Sequence, residues 1–340
     1  MTPKFNSLLL KLAREQRGWS QKEFAEQLGV RQAALSKYEN GAIFPSEEVC
    51  QKIVEIFKLP QKFFFQDVGE IPCGLIYHRK RSSTPASVRS KLEAEARMRL
   101  LDVQRLATAQ NVVSNLIERT NDAKETASLL RYKWELGEEP IPNLVQVLED
   151  NGVVVLPFDF GTDKLDGFFI RLRSNLVVIA LNSNEAFSPD RRRFTLAHEL
   201  GHAILHVDVL PSRELENEAD AFAAEFLAPS QSLKEDFAKP PTFNNLKILK
   251  GKWKISISSL AFRAHRLGLF TDSGYRNFFI FLSSNGYRKN EPGCGVEYET
   301  PSLLNQMLCK QSEKSTDLAD FLLLSDEVFM ERYKKYSSSA

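Results

Sequence analysis

Residues 5–67 alternate short stretches of helical apolar periodicity with polar turns, a pattern that predicts a bundle of short helices. In the second stretch, Ser20 followed by Glu23 has the spacing of a capping box, and Gly29 has the position of a C-terminal cap. These signals predict a helix over SQKEFAEQLG that is followed at once by a tight turn.

The next stretch, VRQAALSKYENG, predicts a second helix, with Leu35 and Tyr38 at core spacing. The residues predicted to face outward are Arg31, Gln32, Ala33, Ser36 and Lys37. Two short helices joined by a glycine turn form a helix-turn-helix, whose second helix enters the major groove of DNA. Glutamine can pair with adenine and lysine with guanine or phosphate, so we predict that this face contacts DNA. A bundle that serves only for dimerisation is the alternative.

The stretches SQKEFAEQLGV, ALSKYENG and PSEEVCQKIVEIFKLPQKFFF resemble the XRE (Cro/repressor-like) DNA-binding domain over about residues 5–67. The resemblance implies that Gln21 contacts a phosphate or a base edge and that Gln32, Ala33 and Lys37 face bases. It also implies that the nucleic-acid partner is double-stranded operator DNA.

Beyond this bundle, the stretch YHRKRSSTPASVRS predicts a linker, and its basic cluster at 78–81 is either a DNA-backbone contact or a solvated face. Residues 88–119 keep helix formers without proline or glycine, which predicts one long helix. Three later runs, VVVLPF, GFFIRL and LVVIAL, predict strands of one sheet. Ser188, Pro189 and Asp190 then predict the start of a helix over about 189–206.

That helix contains FTLAHELGHAILH, in which His198 and His202 flank Glu199 in the pattern H-E-x-x-H. Two imidazoles on successive helical turns suit zinc, and Glu199 beside them suits a general base acting on water. His206 continues the same face, but three ligands spread along one straight helix are too far apart for one ion. We expect His206 to support a ligand or to lie at the surface.

Catalytic zinc uses three protein ligands, so a third is needed. The metzincin pattern is broken, because Leu205 and Asp208 stand where glycine and histidine are required. The remaining candidates are the acids of SRELENEADAFAAEFLAPS, namely Glu214, Glu216, Glu218 and Glu225. A third ligand from this segment would make the domain a gluzincin.

The stretches RRRFTLAHELGHAILH, ENEADAFAAEFLAP and SISSLAFRAHRLGLF resemble the ImmA/IrrE family of metallopeptidases over about residues 127–270. The resemblance implies that zinc is bound by His198, His202 and Glu218, with Glu225 as the next candidate ligand and Glu199 as the general base. Asp220 replaces the asparagine common in this motif, and either orients a ligand histidine or serves as a cap. Mn²⁺ suits the same ligand set as Zn²⁺.

Peptide-bond hydrolysis would also need an oxyanion donor and a way to align the substrate. The candidate donors, chosen by residue type alone, are His206, His265 and Arg263. A strand such as LVVIAL beside the metal could align a peptide by edge pairing.

The whole sequence has 340 residues, with 45 Lys and Arg against 44 Asp and Glu, so any case for nucleic-acid binding depends on a local patch. Four separated cysteines argue against a disulfide scaffold or a thiolate zinc site. No apolar run approaches the roughly 20 residues of a membrane span, and no secretory pattern is present, so we expect a cytoplasmic protein without a membrane role.

The predicted fold class is multidomain, with an all-α helix-turn-helix domain, an α+β gluzincin-like metallopeptidase domain and a helical C-terminal region. The predicted domains are a helix-turn-helix domain at 1–68, a linker and long helix at 69–125, a metallopeptidase domain at 126–270 and a helix-rich region at 271–340.

Together the motifs predict a homodimeric DNA-binding transcriptional regulator. Its zinc-dependent peptidase domain would cleave a regulatory protein of repressor type in response to stress or a mobile-element signal. The alternative is a non-proteolytic transcription factor or antitoxin, whose metal domain senses a ligand or a partner such as a toxin.

Overall fold

The structure is a computed structural model that describes residues 4–68, 86–163, 165–172, 174–206, 209, 212–237, 241–288, 290–292, 295–314 and 317–337. The basic cluster at 78–81 and most of the predicted linker lie outside the described residues.

Helices dominate the described chain, and one small sheet accompanies them. The helices are α1 Ser7–Gln16, α2 Gln21–Leu28, α3 Gln32–Glu39, α4 Glu47–Phe57, α5 Ala86–Gln110, α6 Ala123–Lys133, α7 Leu144–Asp150, α8 Pro189–Leu205, α9 Arg213–Leu227, α10 Ser230–Asp236, α11 Phe243–Trp253, α12 Ile257–Arg266, α13 Asp272–Ser284, α14 Leu303–Ser312, α15 Leu318–Leu322 and α16 Asp326–Ser337. The strands are β1 Val154–Phe158, β2 Gly167–Arg171 and β3 Val177–Asn182. A 3₁₀ helix follows α4 at Gln61–Phe65.

The chain forms two compact units, residues 1–112 with 303–340, and residues 113–302. This division does not follow chain order, because the C-terminal helices α14 to α16 belong with the N-terminal unit. The boundaries of the four domains expected from sequence remain predictions. None of the described helices is long and apolar enough to cross a membrane.

The first unit contains the expected bundle of short helices. Ser20 caps α2 with a full capping box, in which its hydroxyl accepts from the Glu23 amide and the Glu23 carboxylate accepts from the Ser20 amide. Gly29 ends α2 with a left-handed φ of 72°. Phe24, Leu28 and Leu35 are fully buried, so α2 and α3 pack on a shared apolar core.

The long helix α5 ends at Gln110, whereas the sequence pattern predicted helix as far as residue 119. Asn111 has a left-handed φ of 55°, which stops the helix. In the second unit, the Ser114 amide donates to the Asn175 carbonyl at 3.0 Å, and the Asn115 amide donates to the Asn151 carbonyl at 2.8 Å. These bonds to distant residues replace helical ones, and residues 113–119 are not helical, so that part of the helix prediction was wrong.

The second unit is built on a three-stranded sheet of order β1-β3-β2, with β1 and β3 parallel and β3 and β2 antiparallel. Every residue of the central strand β3 is buried, which explains its run of Val, Ile, Ala and Leu. Helix α8 packs against β2 and β3, and α9 packs against α8. The three predicted strands and the helix predicted at 189–206 are therefore confirmed.

Candidate metal centre and DNA-binding face

The close approach of α8 and α9 forms the candidate metal centre. Gly201 lies in α8 against Phe222 of α9, and a Cβ at Gly201 would lie 2.9 Å from a ring carbon of Phe222. Because no side chain occupies this point, the acids of α9 can reach the histidines of α8. The glycine of HELGH thus serves the packing of the two helices.

Three side chains meet where the two helices face each other. His198 Nε2 lies 3.6 Å from Glu216 Oε2, and His202 Nε2 lies 3.3 Å from Glu216 Oε1. One ligand atom from each of the three residues falls within 4.8 Å of the others. A tetrahedral zinc site with bonds of about 2.1 Å places neighbouring donor atoms roughly 3.4 Å apart, so the spacing suits such an ion.

A hydrogen bond to Asp220 occupies Nδ1 of His198 and leaves its Nε2 available to a metal. His198 Nδ1 lies 2.7 Å from Asp220 Oδ1, and an ionised carboxylate can only accept. In the neutral imidazole the proton is therefore on Nδ1, and Nε2 carries a lone pair. That Nε2 is buried and has no hydrogen-bond partner among the described residues, as expected for an atom that binds a cation.

A second chain of hydrogen bonds occupies Nδ1 of His202 and leaves its Nε2 available to a metal. Glu218 Oε2 lies 2.9 Å from His206 Nε2, and His206 Nδ1 lies 2.8 Å from His202 Nδ1. Burial lowers the pKa of His206 despite the opposing hydrogen bond to Glu218, and a lower pKa favours the neutral imidazole. His206 then donates to Glu218 and accepts from His202 Nδ1, which leaves a lone pair on His202 Nε2.

Two lone pairs and a carboxylate thus converge on one point, an arrangement that repels itself unless a cation lies between the groups. The residues present therefore fit a divalent metal with two imidazole ligands and one carboxylate ligand. Glu218, the ligand implied by the family resemblance, is placed on His206 instead, and Glu216 faces the metal position. Glu216 and Asp220 are four residues apart, so both project from one face of α9.

Glu199, the predicted general base, is buried between the two histidines along α8. Strand β2 comes close to it, because a Cβ at Gly167 would lie 3.7 Å from Glu199 Cγ. Phe169 of the same strand stacks on His202 with ring centroids 6.1 Å apart. The strand proposed to align a peptide, LVVIAL, is β3, and both of its edges are already paired. That prediction was wrong, and β2 is the edge strand beside the centre.

The other residues predicted as metal ligands or oxyanion donors make different contacts or lie exposed. Burial alone would raise the pKa of Glu225, but hydrogen bonds from Ser230 and the charge of Arg263 lower it. Arg263 donates to Glu225 at 3.0 Å, and His265 Nε2 lies 2.8 Å from Asp272. Glu214 lies exposed in the first turn of α9. Glu225 and Arg263 thus form a buried ion pair that joins α9 to α12.

The predicted DNA-binding residues lie on and around α3. Arg31 is its N-cap residue, and Arg31, Gln32, Ala33 and Lys37 are exposed. Ser36 is half-buried, with its hydroxyl 3.5 Å from the side-chain nitrogen of Asn40. These positions form a polar, basic face on one short helix.

Gln21 lies at the start of α2, and its side chain is hydrogen-bonded within the bundle. Its amide nitrogen donates to Glu39 at 2.9 Å, and Glu39 also accepts a two-pronged bond from Arg14, at 2.6 and 3.0 Å. Arg14 further donates to the Trp19 carbonyl at 2.6 Å. This network of buried charges ties α1, α2 and α3 together, and no local sequence pattern indicates it.

Known protein families match both the helix-turn-helix region and the region that contains the candidate metal centre. Residues 10–60 match the family described as helix-turn-helix, and residues 148–265 match the IrrE N-terminal-like domain of the peptidase M78 family. Antitoxin HipB of Escherichia coli O6:H1 is 38% identical over 50 residues, which cover 15% of this chain and 53% of HipB. The chain thus spans about half the length of this curated relative, within the helix-turn-helix region.

A crystal structure of Bacillus thuringiensis PlcR in complex with the peptide PapR7 and DNA is also similar, at 15% identity. The match covers 98% of this chain and 92% of PlcR, with a TM-score of 0.18, which is too low to indicate a shared fold. The family matches show a DNA-binding regulator with a peptidase-like domain. The chain joins an XRE-type helix-turn-helix domain at residues 10–60 to a domain of the IrrE N-terminal-like peptidase family at residues 148–265.

Proposed function

We propose that the second unit is a zinc-dependent peptidase in which His198, His202 and Glu216 hold the metal. The observation that carries this proposal is the convergence of two imidazole Nε2 atoms and one carboxylate on a single point. Catalytic zinc sites have three protein ligands and leave a fourth position for water, whereas structural sites have four protein ligands. Two imidazoles and one carboxylate therefore match a catalytic site. Mn²⁺ is the second candidate ion for the same ligands.

Bound zinc would supply Lewis-acid chemistry, acidifying water and polarising a peptide carbonyl. Glu199 takes the proton from the attacking water and returns it to the leaving amine. Asp220 keeps His198 in the correct tautomer, and His206 with Glu218 does so for His202. The edge of β2 that pairs with no described strand aligns the peptide by main-chain hydrogen bonds, because this strand lies beside Glu199.

The helix-turn-helix domain would direct this activity to gene regulation. Arg31, Gln32, Ala33, Ser36 and Lys37 on and next to α3, with Gln21 at the start of α2, would bind operator DNA from a cytoplasmic homodimer. The peptidase would then cleave a repressor-type regulatory protein, either this chain or a separate one, after a stress or mobile-element signal. Affinity for duplex DNA should fall steeply with added salt, because phosphate contacts release counterions.

The test compares wild type with Glu199→Gln in cells of the native host, with mass spectrometry to find protein N-termini that need the wild-type chain. Glutamine leaves the metal ligands in place but removes the base, so hydrolysis should fall by about 10²–10⁴-fold. Glu185→Gln, at an exposed position of the same unit, is the matched control and should retain every cleavage. Identical N-termini in both strains under stress, with metal bound, would mean that the domain does not cut.

A non-proteolytic regulator of antitoxin type is the second candidate, and the similarity to a protein named antitoxin HipB favours it. In that case the metal domain would bind a ligand or a toxin partner. Metal-loaded Glu199→Gln would then repress and derepress its operator as wild type does. A peptidase-dependent regulator would instead lose derepression in this variant.

A further inference from the structure

The second unit contains a cavity of about 700 Å³ beside the candidate metal centre. One face of α9 and one face of α12 form its long walls. Phe194 of α8, Tyr275 and Phe279 of α13, and Lys124 at the start of α6 close its ends. The volume falls within the range of roughly 300–1,000 Å³ typical of sites that enclose a ligand.

The cavity exists because its two long walls carry small residues at facing positions. Ala221 and Ala224 line it from α9, and Ser258 and Ser259 line it from α12. Larger apolar side chains surround these positions, namely Leu227, Ile255, Phe262 and Phe279. Much of the interior is therefore apolar.

The cavity adjoins the metal centre through two residues. Asp220 lines it and also lies 2.7 Å from His198 Nδ1. Phe194 lines it one helical turn before His198, with the two ring centroids 6.4 Å apart. The cavity therefore borders His198, one of the two proposed histidine ligands.

The rim of the cavity carries unneutralised positive charge. The Arg266 guanidinium lies over the Phe262 ring at 5.2 Å from its centroid, and Lys124 is exposed. Neither cation forms an ion pair with any residue that the structure describes. Asp220 is the acid of the lining, and it is engaged by His198. An acidic group on a ligand would thus meet two cations.

We propose that this cavity selects the substrate of the proposed peptidase: it takes an aromatic or large aliphatic side chain next to the cleaved bond. Arg266 and Lys124 read an acidic side chain in the following position. The inference rests on the proposed function, because it assigns the cavity to the same reaction.

The test measures peptide binding by fluorescence anisotropy to the zinc-loaded full chain carrying Glu199→Gln. The probes are fluorescein-labelled Ala-Ala-Ala-Phe-Glu-Ala, Ala-Ala-Ala-Phe-Gln-Ala and Ala-Ala-Ala-Ser-Gln-Ala. Burial of phenylalanine should give the second peptide at least about tenfold tighter binding than the third. The glutamate should add a further roughly two- to fivefold, and this gain should disappear at high salt.

Variants locate the site. Phe262→Ser and Ala224→Trp, one opening and one filling the cavity, should both remove the preference for phenylalanine while zinc content stays unchanged. Arg266→Glu should reverse the preference for glutamate over glutamine. Ile248→Ser replaces an equally apolar, 72% exposed side chain outside the cavity and is the matched control that should change nothing.

Equal affinity for the three peptides, absence of binding, or a preference that survives all three cavity variants would overturn the inference. Incubation of wild type with the same peptides separates the two proposals. Cleavage without sequence preference would leave the peptidase standing and remove the cavity's role. Selective binding without cleavage would leave the cavity as a peptide site and remove the peptidase.

Discussion

The helix-turn-helix and the α8–α9 pair both present their key side chains from two packed helices, but in opposite environments. The predicted DNA contacts of α3 are mostly exposed, and each can act on its partner independently. At the metal centre, His198 and Glu199 are buried, and each metal-facing histidine depends on a second residue for its tautomer. A substitution on α3 should therefore remove one contact, whereas one at α8 or α9 should disturb several groups.

The difference has a physical origin. A solvated side chain keeps its charge and its rotamers without help, so the rest of the fold has only to place the helix. A buried polar side chain without a partner costs about 1–3 kcal/mol or more, so it must be fully hydrogen-bonded or bound to a metal.

The strongest test separates Glu216 from Glu218. Glu216→Gln should lower zinc affinity by more than the roughly 100-fold that marks the upper range for residues that only support a ligand. Glu218→Gln should lower it by less than about tenfold, because an amide oxygen can still accept from His206 Nε2. Competition with a zinc chelator measures both. If the order were reversed, Glu218 would be the ligand, as the family resemblance implies.

The next test concerns His206. Its replacement by alanine removes the acceptor for His202 Nδ1 and should weaken zinc binding by about 10–100-fold. Asparagine can place its side-chain oxygen near the position of Nδ1, so His206→Asn should recover most of that loss. The d–d spectrum of the Co²⁺-substituted chain should likewise change in the alanine variant and return in the asparagine variant. A purely structural role predicts equal losses in both.

The sequence alone could not decide whether Glu216 or Glu218 is the third metal ligand. Two positions along a helix turn a side chain by about 200°, so only one of the two acids can face the point between His198 and His202. Which one does so depends on the helical phase of α9, and the contact between Gly201 and Phe222 fixes that phase. The four-residue spacing of Glu216 and Asp220, which equals that of His198 and His202, was the available signal.

Local signals predicted local structure well. The capping residues Ser20 and Ser188 marked the starts of α2 and α8, and Gly29 marked the end of α2. These signals act within one turn of the helix, so the sequence contains them. The end of α5 was missed because the hydrogen bonds of residues 113–115 reach partners near 151 and 175, which no local pattern reveals.

Strand order shows the same limit. The run LVVIAL was correctly predicted as a strand, but its central place between β1 and β2 results from long-range pairing. A central strand has no free edge that could pair with a peptide. We therefore assign the alignment of a peptide to β2 instead. The buried network around Glu39 is another case, because Arg14 and Glu39 are 25 residues apart in sequence.

The smallest effects should come from α3. If Lys37 contacts a phosphate, Lys37→Ala should weaken binding to every DNA sequence alike and lower the slope of log affinity against log salt by about 1. Gln32→Ala should instead cost about 1–3 kcal/mol at the operator and relax the choice of one base pair. Titrations of labelled operator and scrambled duplexes at several salt concentrations measure both.

Lys52→Ala is the matched control, because Lys52 is exposed on α4 and paired with Glu48, away from α3. Its salt slope should equal that of wild type. If Lys37→Ala altered the choice of base while the slope stayed constant, the lysine would read guanine rather than phosphate. In either case zinc content should be unchanged, since an exposed contact on α3 can be lost without disturbing any buried group.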